Sequence, residues 1–394
     1  MKAEVIAIGD ELTTGQRLDT NSQWISRELA VLGIATAFHT TITDSLDDGV
    51  AAFRIAVGRA DLVVVTGGLG PTADDLTRDV LGLVADEPLE LSETALAVVE
   101  SRFARRSMPM PESNRRQALF PRTSRIIPNP EGTAPGIDIE ITRPAGGVCR
   151  IFALPGVPAE MRVMWRETVG PAVLAMQPEG GTILFRRIKC FGAGESAIEA
   201  MLPDLIQRGR DPLVGITAHE ATITLRIAAR GRDEAACRAK IAPTEALIRD
   251  CLGALVYGVE DDEIEDAAIA AVAAAGATLA TVEIATQGQV ATMLAQATAR
   301  GRAGVVRGGI VLPGSGDGRS AAELADWARR QFQATHGLAV GPVHPEADGT
   351  ETVEIALIGP GGARTISHRL GGGGTLKLSR GAKTAIDLVR REVG

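Results

Sequence analysis

A glycine-rich segment that ends in two adjacent carboxylates is the strongest chemical signal in this sequence. Residues 66–75 read Thr-Gly-Gly-Leu-Gly-Pro-Thr-Ala-Asp-Asp, after an apolar run typical of a buried strand and before a predicted helix. Glycines let the backbone approach a ligand closely and turn its N–H groups toward an anion. A helix start adds partial positive charge, and adjacent carboxylates suit a divalent cation that bridges phosphate oxygens. The segment therefore predicts a phosphate-plus-metal site.

The residues of this segment are assigned different roles. The predicted substrate-binding residues are Thr66, Gly67, Gly68, Gly70 and Thr72. Asp74 and Asp75 are the predicted catalytic residues. Asp74 has no structural role that the sequence explains, which favours metal binding or water activation. Asp75 completes a Thr-x-x-Asp capping box, so its alternative role is to satisfy the first turn of the helix.

A second polar segment follows the first apolar run of the chain. Asp10 lies just past that run, and Asn21 and Ser22 lie where a helix is predicted to begin. Amide and hydroxyl groups at a helix start could hold a phosphate or a ribose, although one residue there is also expected as a helix cap. Asp44 is either a further acid at a strand end or a solvated turn residue. We predict Asp10, Asp44 and Asp74 as metal ligands.

Two rigid Pro/Gly loops carry a few polar groups each. One spans residues 129–136, with Asn114 upstream, and the other spans residues 154–161. By their composition alone, such loops are more often turns than binding sites.

The composition argues against several classes of protein. With 23% charged and 45% hydrophobic residues, the chain is ordinary for a globular protein rather than disordered or built on disulfides. Aromatic residues are 3% and the net charge is −8, whereas sequence-neutral nucleic-acid grooves need aromatic platforms and basic charge. The longest uncharged stretch, residues 267–282, is shorter than a membrane span. We expect neither a nucleic-acid partner nor a membrane.

The cysteines and histidines indicate a reducing compartment and no zinc site. The four cysteines lie far apart without a CxxC pair, which predicts reduced, mostly buried thiols of a cytoplasmic protein. The five histidines form no HExxH or HxxxH pattern.

Hydrophobic periodicity predicts an α/β protein of three domains. Residues 1–177 alternate strand and helix, which implies a parallel sheet covered on both faces, with ligands beyond the carboxyl ends of its strands. Residues 178–258 indicate a small α+β domain, in which Pro243 is expected to kink or interrupt a helix. Residues 259–394 alternate again and include a hairpin around Gly359–Gly362 and a last helix over Lys383–Val393. The predicted elements of the first domain include strands over Ala3–Ile8 and Asp61–Val65 and helices over Asn21–Leu32 and Asp75–Val84.

Four ordered motifs in the first domain resemble those of the CinA family (competence/damage-inducible protein A). They are Gly9-Asp10-Glu11-Leu12 with Gly15 and Asp19-Thr20-Asn21-Ser22, the segment 66–75, Asn129 with Glu131–Gly136, and Leu154–Pro158 with Glu160-Met161. The resemblance implies a molybdopterin-binding-type domain with metal-dependent ADP-ribose pyrophosphatase activity, which releases AMP and ribose 5-phosphate. With these motifs, Asn114, Gly132 and Thr133 join the predicted substrate-binding residues. The implied cofactor is Mg²⁺, Mn²⁺ or Co²⁺, the implied partner a nucleotide substrate, and the implied assembly a homodimer.

The later domains resemble the same family less completely. Residues 191–196 and 214–218 resemble its central KH-type domain, and without a basic GXXG loop a scaffold role is expected. The family's last domain is a nicotinamide mononucleotide deamidase with the hallmark A-E-S-C-T-G-G, whose serine is the nucleophile. Residues 282–288 here read Val-Glu-Ile-Ala-Thr-Gln-Gly, so Ile284 stands in place of that serine. Pro313 and Gly318 fall where the family has a tyrosine and a lysine.

An alkyl side chain cannot attack an amide, so the resemblance predicts an inactive deamidase-like domain. Thr286 is displaced by two positions and Ser315 lies in a loop, and both are poor substitutes for the missing nucleophile. The leading hypothesis is therefore an enzyme that hydrolyses a nucleotide diphosphate such as ADP-ribose in the first domain. One alternative is a molybdopterin-binding protein or molybdenum-cofactor enzyme, and another is a binding module without catalysis.

Overall fold

The computed structural model of the chain describes residues 1–144, 146–177, 179–301, 304–314, 318–371 and 375–393. The chain forms two compact units. One comprises Met1–Leu184 and Arg230–Arg238, and the other comprises Phe185–Ala229 and Ala239–Gly394.

The first unit is built on a six-stranded sheet. The strands of residues 1–177 are β1 (Ala3–Ile8), β2 (Thr36–Ile42), β3 (Leu62–Thr66), β4 (Leu89–Leu91), β5 (Leu119–Pro121), β6 (Arg125–Ile127), β7 (Gly136–Thr142) and β8 (Val148–Leu154). The helices are α1 (Asp10–Thr13), α2 (Thr20–Val31), α3 (Leu46–Arg59), α4 (Thr77–Ala85), α5 (Glu93–Arg105), α6 (Pro158–Met164) and α7 (Gly170–Ala175). A 3₁₀ segment covers Glu112–Ala118, and a π-helical segment, Trp165–Val169, joins α6 to α7.

The sheet order is β2-β1-β3-β8-β7-β6. Strands β2, β1, β3 and β8 are mutually parallel, whereas β7 and β6 add on as antiparallel strands. The predicted parallel sheet is thus confirmed for four strands. The antiparallel edge was not predicted, because its strands are short and lie among Pro/Gly turns.

Both faces of this sheet are covered, as expected from its apolar strands. Along β3, Val63 and Val65 pack into one buried cluster with α3 and α4, while Leu62 and Val64 pack into another with α2. Successive side chains of a strand point to opposite faces, so an uninterrupted run of aliphatic residues is what a doubly covered strand requires.

The remaining elements form two further sheets. The strands are β9 (Thr182–Cys190), β10 (Leu213–His219), β11 (Thr222–Gly231), β12 (Val256–Val259), β13 (Leu279–Glu283), β14 (Val306–Val311), β15 (His336–Pro345), β16 (Glu351–Gly359) and β17 (Gly362–Arg369). The helices are α8 (Glu195–Met201), α9 (Glu234–Leu252), α10 (Ile264–Ala274), α11 (Gln289–Ala299), α12 (Ala321–Gln331) and α13 (Thr375–Val393). A single 3₁₀ turn, Gly253–Leu255, precedes β12.

A four-stranded sheet, β10-β11-β9-β12, forms the small α+β part of the chain, and a five-stranded sheet, β14-β13-β15-β16-β17, forms the last part. Strand β13 is parallel to both of its neighbours, and the predicted hairpin is confirmed, with Gly359 opposite Gly362. The α/β class with three sheet-based parts is therefore confirmed, while the domain boundaries proposed from the sequence stay predictions.

Two helices differ from their predicted form. Helix α9 runs through Pro243 without interruption, and residues on both sides of the proline (Cys237, Ile241, Ile248) are buried. Helix α13 begins at residue 375 rather than 383. Gly381, inside this helix, allows close packing, because a Cβ there would lie 3.3 Å from side-chain atoms of Leu370 and Thr286.

The cysteines agree with the expectation of mostly buried thiols. All four cysteines are free thiols, three of them buried. Burial raises the pKa of the Cys149 and Cys190 thiols to about 11, which makes them poor nucleophiles. In the described parts of the chain, no helix combines the length and the apolar character needed to cross a membrane.

Candidate functional site

A cavity of about 530 Å³ lies at the carboxyl ends of β1, β3 and β8. These strands are adjacent and parallel, so the loops that follow them meet at one edge of the sheet, the usual place for a ligand in such folds. The loop after β1 contributes Gly9 and Glu11, the loop after β3 contributes residues 67–75, and the loop after β8 contributes residues 155–158. The cavity also borders Arg17, Asp44, Gln117, Thr133, Ala134 and Glu160.

The glycine-rich loop depends on glycine at two positions. Gly67 and Gly68 have φ values of 109° and 64°, a region that other residues adopt rarely. A Cβ at Gly67 would lie 2.5 Å from the Ile8 carbonyl oxygen, and one at Gly68 would lie 2.3 Å from Thr77 Oγ1. That hydroxyl donates to the Gly67 carbonyl at 2.9 Å. The loop therefore packs tightly against both β1 and the start of α4, and its other side faces the cavity.

Asp75 holds this loop closed. Its carboxylate accepts hydrogen bonds from the Gly70 amide at 2.7 Å, the Thr72 amide at 2.8 Å and the Thr72 hydroxyl at 2.5 Å. Helix α4 begins only at Thr77, after an N-cap at Leu76 without a side-chain cap bond. The predicted cap of the helix is therefore wrong, since the carboxylate clamps the preceding turn. Thr72, predicted to bind substrate, has its hydroxyl committed to the same clamp.

Four carboxylates gather on the opposite side of the cavity. The Asp10 amide donates to Asp44 Oδ2 at 3.0 Å, and the Asp44 amide donates to Asp10 Oδ1 at 3.2 Å. Burial raises the pKa of Asp44, the Asp10 hydrogen bond opposes that rise, and the charges of Asp10, Asp74 and Glu11 add to it. The charges of Asp10 and Asp74, two of the predicted metal ligands, thus act on the third, Asp44, and Glu11 is a further acid that the sequence-based prediction left out. The metal-binding role of these residues stays a prediction.

Asp74 differs from Asp44 in its surroundings. Its side chain is exposed, and the nearby Thr72 hydroxyl lowers its pKa, with a smaller contribution from the positive charge of Arg116. Asp74 is therefore ionised over the whole physiological range. It projects the one carboxylate of the segment 66–75 that is not used to hold the loop.

The donor set fits a divalent cation that arrives with a phosphate ligand. Among the described residues, no three His, Cys, Asp or Glu side chains are placed to hold a metal ion by themselves. Mg²⁺-like ions, however, are commonly held by one or two carboxylates together with substrate phosphates and water. The raised pKa of Asp44, which is caused first by burial and then by the neighbouring carboxylates, shows that its ionised form is disfavoured, and a cation would relieve that cost.

Asn21 and Ser22 stabilise the elements around the 530 Å³ cavity and do not border it. Asn21 Nδ2 donates to Thr66 Oγ1 at 3.0 Å and to the Gly156 carbonyl at 2.8 Å, so it ties together two loops of the cavity. Ser22 is buried, and its amide donates to Asp19, which is the N-cap of α2. Asn21 and Thr66 border a small adjoining cavity of about 40 Å³.

Of three further predicted residues, two lie behind the cavity wall. Asn114 is buried and donates to Gln117 Oε1 at 2.9 Å, and Gln117, which sequence reasoning missed, borders the cavity. Gly132 packs against Glu160, since a Cβ there would lie 2.1 Å from a Glu160 oxygen. Of this group, only Thr133 borders the cavity directly.

The loops of residues 129–136 and 154–161 are joined by an amide–carboxylate bond. Asn129 Nδ2 donates to Glu160 Oε2 at 2.7 Å and to the Ala134 carbonyl at 2.9 Å. Composition alone favoured simple turns here, but these segments form two walls of the cavity.

Arg78 is a buried cation beneath the site that the sequence did not reveal. Its guanidinium donates to the Leu69 carbonyl at 2.9 Å and to the Pro135 carbonyl at 3.4 Å, so it joins the glycine-rich loop to the 129–136 loop. Burial lowers its pKa to about 10, and the negative charge of Asp75 opposes that shift. Arg78 remains charged at neutral pH and adds positive potential beneath the loop that faces the cavity.

The last sheet has a second cavity where the deamidase resemblance placed an active site. It measures about 680 Å³ and is bordered by Ile284, Ala285, Gln287, residues 311–314, Pro342 and Val343. Two of the three substituted positions, Ile284 and Pro313, therefore face it, whereas Gly318 is not part of that border. Thr286 is buried and donates to Glu283 Oε2 at 2.7 Å, so its hydroxyl is already engaged. Ser315 lies outside the described residues.

Comparison with known proteins matches the first two parts of the chain to separate family models. Residues 4–175 match the family described as "Probable molybdopterin binding domain". Residues 185–258 match the "Damage-inducible protein CinA KH domain".

Curated relatives match nearly the whole chain. The CinA-like protein of Frankia casuarinae is 35% identical over 99% of this chain and 96% of its own length. The CinA-like protein of Gloeobacter violaceus is 37% identical over the same shares of both chains. The chain belongs to the CinA family. A crystal structure of CinA from Thermoplasma acidophilum is 32% identical, with a TM-score of 0.40, and covers 44% of this chain and 99% of that one.

Family membership assigns the 530 Å³ cavity to the molybdopterin-binding-type domain of a CinA protein. The sequence-based recognition of the CinA family is therefore confirmed.

Proposed function

We propose that this CinA-family protein hydrolyses ADP-ribose, or a closely related nucleotide diphosphate, in the first domain with the help of a divalent cation. The observation that carries the proposal is one cavity that is bordered by the glycine-rich loop, by Asp74 near the end of the same segment and by Asp44. The pKa of Asp44 is raised. A pyrophosphate at the loop and a cation at the carboxylates would balance each other's charge. The reaction class itself comes from the family resemblance.

The chain's own groups account for binding and orientation. The Gly67 amide donates to the Leu154 carbonyl and the Gly70 amide donates to Asp75, so Gly68 is the glycine whose amide the loop offers to the pyrophosphate. Buried Arg78 stabilises the negative charge of the pyrophosphate from below. Arg17 is the basic side chain among the described residues that border the cavity, and it is free to contact a phosphate oxygen. Asp75 keeps the loop in its binding conformation through its three hydrogen bonds.

Asp74, with Asp44 or Asp10, would hold the cation. When bound, such a cation neutralises phosphate charge and makes nearby water more acidic. Water then adds to one phosphorus, the bridging P–O bond breaks, and the products are AMP and ribose 5-phosphate.

The direct test measures AMP release from ADP-ribose with Mg²⁺, Mn²⁺ or Co²⁺, against EDTA. Asp74→Asn is the test variant, and Asp86→Asn, at the carboxyl end of α4 and away from the cavity lining, is the matched control. Metal-dependent AMP release that disappears only in Asp74→Asn supports the proposal. A folded protein that releases no AMP with any of the metals contradicts it.

A second candidate is binding of molybdopterin, which is favoured by the family description of residues 4–175. Competition distinguishes the two candidates, because molybdopterin that binds more tightly than ADP-ribose, without AMP release, would favour the pterin. We further propose that the last domain lacks deamidase activity, because Ile284 and Pro313 place apolar groups where a nucleophile and its partner are needed.

A further inference from the structure

A further cavity has no role in the proposed reaction. It measures about 880 Å³ and lies within the second compact unit. One wall is formed by residues 191–195, after β9, and by the β10–β11 turn. The other wall is formed by β17 and α13. Its volume is in the range of small-molecule sites.

Basic groups are concentrated on the wall formed by β17 and α13. These are Arg364, His368, Arg369, Arg380 and Arg391. The acids of that wall are already engaged, since Asp387 pairs with Arg391 at 2.7 Å and Glu392 faces Arg364 at 3.6 Å. On the opposite wall, Glu195 and Glu220 are exposed to solvent.

Arg380 is the basic group without a compensating acid. Its guanidinium donates to the Gly371 carbonyl at 3.3 Å, and within the described chain it forms no ion pair. Arg380 is half-buried, where a charge that lacks a counter-ion is more costly than at the surface. An anion in the cavity would supply that counter-ion.

His368 lies on the same wall as Arg380. Its Nε2 is 3.5 Å from the Thr384 hydroxyl, which itself donates to the Arg380 carbonyl at 2.9 Å. Burial lowers the pKa of His368, and the positive charge of Arg380 lowers it further. Arg380 and the neutral His368 ring thus offer two hydrogen-bonding groups on one wall, in a local potential that favours an anion.

The remaining lining suits a ligand with an apolar part. Ile223, Ile366, Leu376 and Leu388 border the cavity. The opposite wall comes close to Arg391 at Gly192, where a Cβ would lie 3.0 Å from Arg391 Nη2. Phosphate at Arg380 and an apolar body against these side chains would fill both parts of the cavity.

We propose that this cavity is a second binding site, which takes a small phosphomonoester of the nucleoside or sugar phosphate class. Arg380 and His368 bind the phosphate. The site does not depend on the activity proposed for the first domain. A bounded cavity in a chain with a net charge of −8 fits a small phosphate better than a nucleic-acid strand.

The test uses the full-length protein in EDTA, with AMP, ribose 5-phosphate, inorganic phosphate and adenosine as probes. The chain has five histidines, so the ring-proton NMR signal of His368 can be assigned by comparison with His368→Asn. Calorimetry on the same samples gives affinities. AMP or ribose 5-phosphate should shift the His368 signal, whereas adenosine should not.

Arg380→Gln should weaken this binding about tenfold or more, the effect expected when one charged hydrogen bond is lost. Arg380→Lys should keep part of the affinity, and Arg330→Gln, an exposed arginine of α12, should keep all of it. Unchanged melting temperatures show that the variants are folded. The proposal is overturned if no monophosphate moves the His368 signal, if Arg380→Gln binds as the parent does, or if only an oligonucleotide binds.

Discussion

Asp10 and Asp44 hold each other through two reciprocal hydrogen bonds, in which each backbone amide donates to the other's carboxylate. The bonds join the residue after β1 to the loop after β2, at 3.0 and 3.2 Å. They also place two negative charges side by side, and Asp74 and Glu11 add two more. Burial and the neighbouring charges therefore make the ionised form of Asp44 unfavourable.

Asp44→Asn should stabilise the metal-free protein and weaken its response to metal. A carboxyl whose pKa rises on folding is destabilising when ionised, and this cost is present above the folded-state pKa and disappears as pH falls through it. At neutral pH the amide of Asp44→Asn removes that cost. The free energy of unfolding should rise by about 1 kcal/mol or less, because water still screens a half-buried charge. Since Asn Oδ1 can still accept the Asp10 amide, the loop geometry is kept.

Thermal melts with EDTA and with Mn²⁺ plus a non-hydrolysable ADP-ribose analogue measure both effects. The parent protein should gain stability from the pair of ligands, and Asp44→Asn should gain less. Asp48→Asn, on α3, is the control for loss of one negative charge. An Asp44→Asn protein that is less stable than the parent in EDTA would contradict the electrostatic argument.

Asp74→Asn and Asp75→Asn should fail in different ways. Asp74 is exposed, so its substitution should leave the melting temperature unchanged and lower kcat by about 100-fold or more. Asp75 makes three hydrogen bonds to the loop, and the amide cannot accept all of them, so stability should fall by about 1–3 kcal/mol and KM should rise. Melting curves and steady-state kinetics separate the two. A stable Asp75→Asn protein with reduced kcat alone would make Asp75 a catalytic residue.

Local patterns in the sequence predicted the fold best where one stretch determines its own structure. The strands over Ala3–Ile8 and Leu279–Glu283 are mostly apolar and buried. For β2 only a strand end before Asp44 was considered, since its sequence mixes polar and apolar residues, several of them exposed at the sheet edge, and carries little apolar signal. The roles of Arg78 and Gln117 depend on loops that are distant in sequence, which no local pattern indicates. Homodimer formation and a cytoplasmic location stay predictions.

Gly68→Ala should cost more stability than its backbone angle alone explains. Its φ of 64° matches the 65° of Gly180, but a Cβ at Gly180 meets nothing within 4 Å, whereas one at Gly68 would overlap Thr77 Oγ1. Gly180→Ala therefore measures the backbone cost, about 1–2 kcal/mol, and the excess in Gly68→Ala, about 1–3 kcal/mol, measures the overlap. Denaturant unfolding gives both values. Equal losses would show that the loop can move away from α4 without cost.

Arg78→Met should destabilise the first unit and weaken nucleotide binding. The Leu69 and Pro135 carbonyls would lose their donor, at a cost of about 1–3 kcal/mol. The fluorescence of Trp24 and Trp165, whose ring centroids are 6.0 Å apart, measures the unfolding of this unit if Trp327 is first replaced by Phe. Arg54→Met, an exposed position on α3, should change stability by less than about 0.5 kcal/mol. Unchanged ADP-ribose affinity in a folded Arg78→Met protein would show that the charge of Arg78 does not stabilise the bound nucleotide.

Ile284→Ser should not create a deamidase. The new hydroxyl would lie in the 680 Å³ cavity, but Pro313 offers no group that could activate it, and Thr286 is bonded to Glu283. Glu283 is itself occupied, because it also accepts the Val290 and Ala291 amides at the start of α11. Replacement of a buried isoleucine by serine should cost about 2–4 kcal/mol. The measurement is ammonia release from nicotinamide mononucleotide, and Ile284→Ala is the control for lost side-chain volume. Activity in the serine variant alone would show that the domain has kept the rest of its catalytic residues.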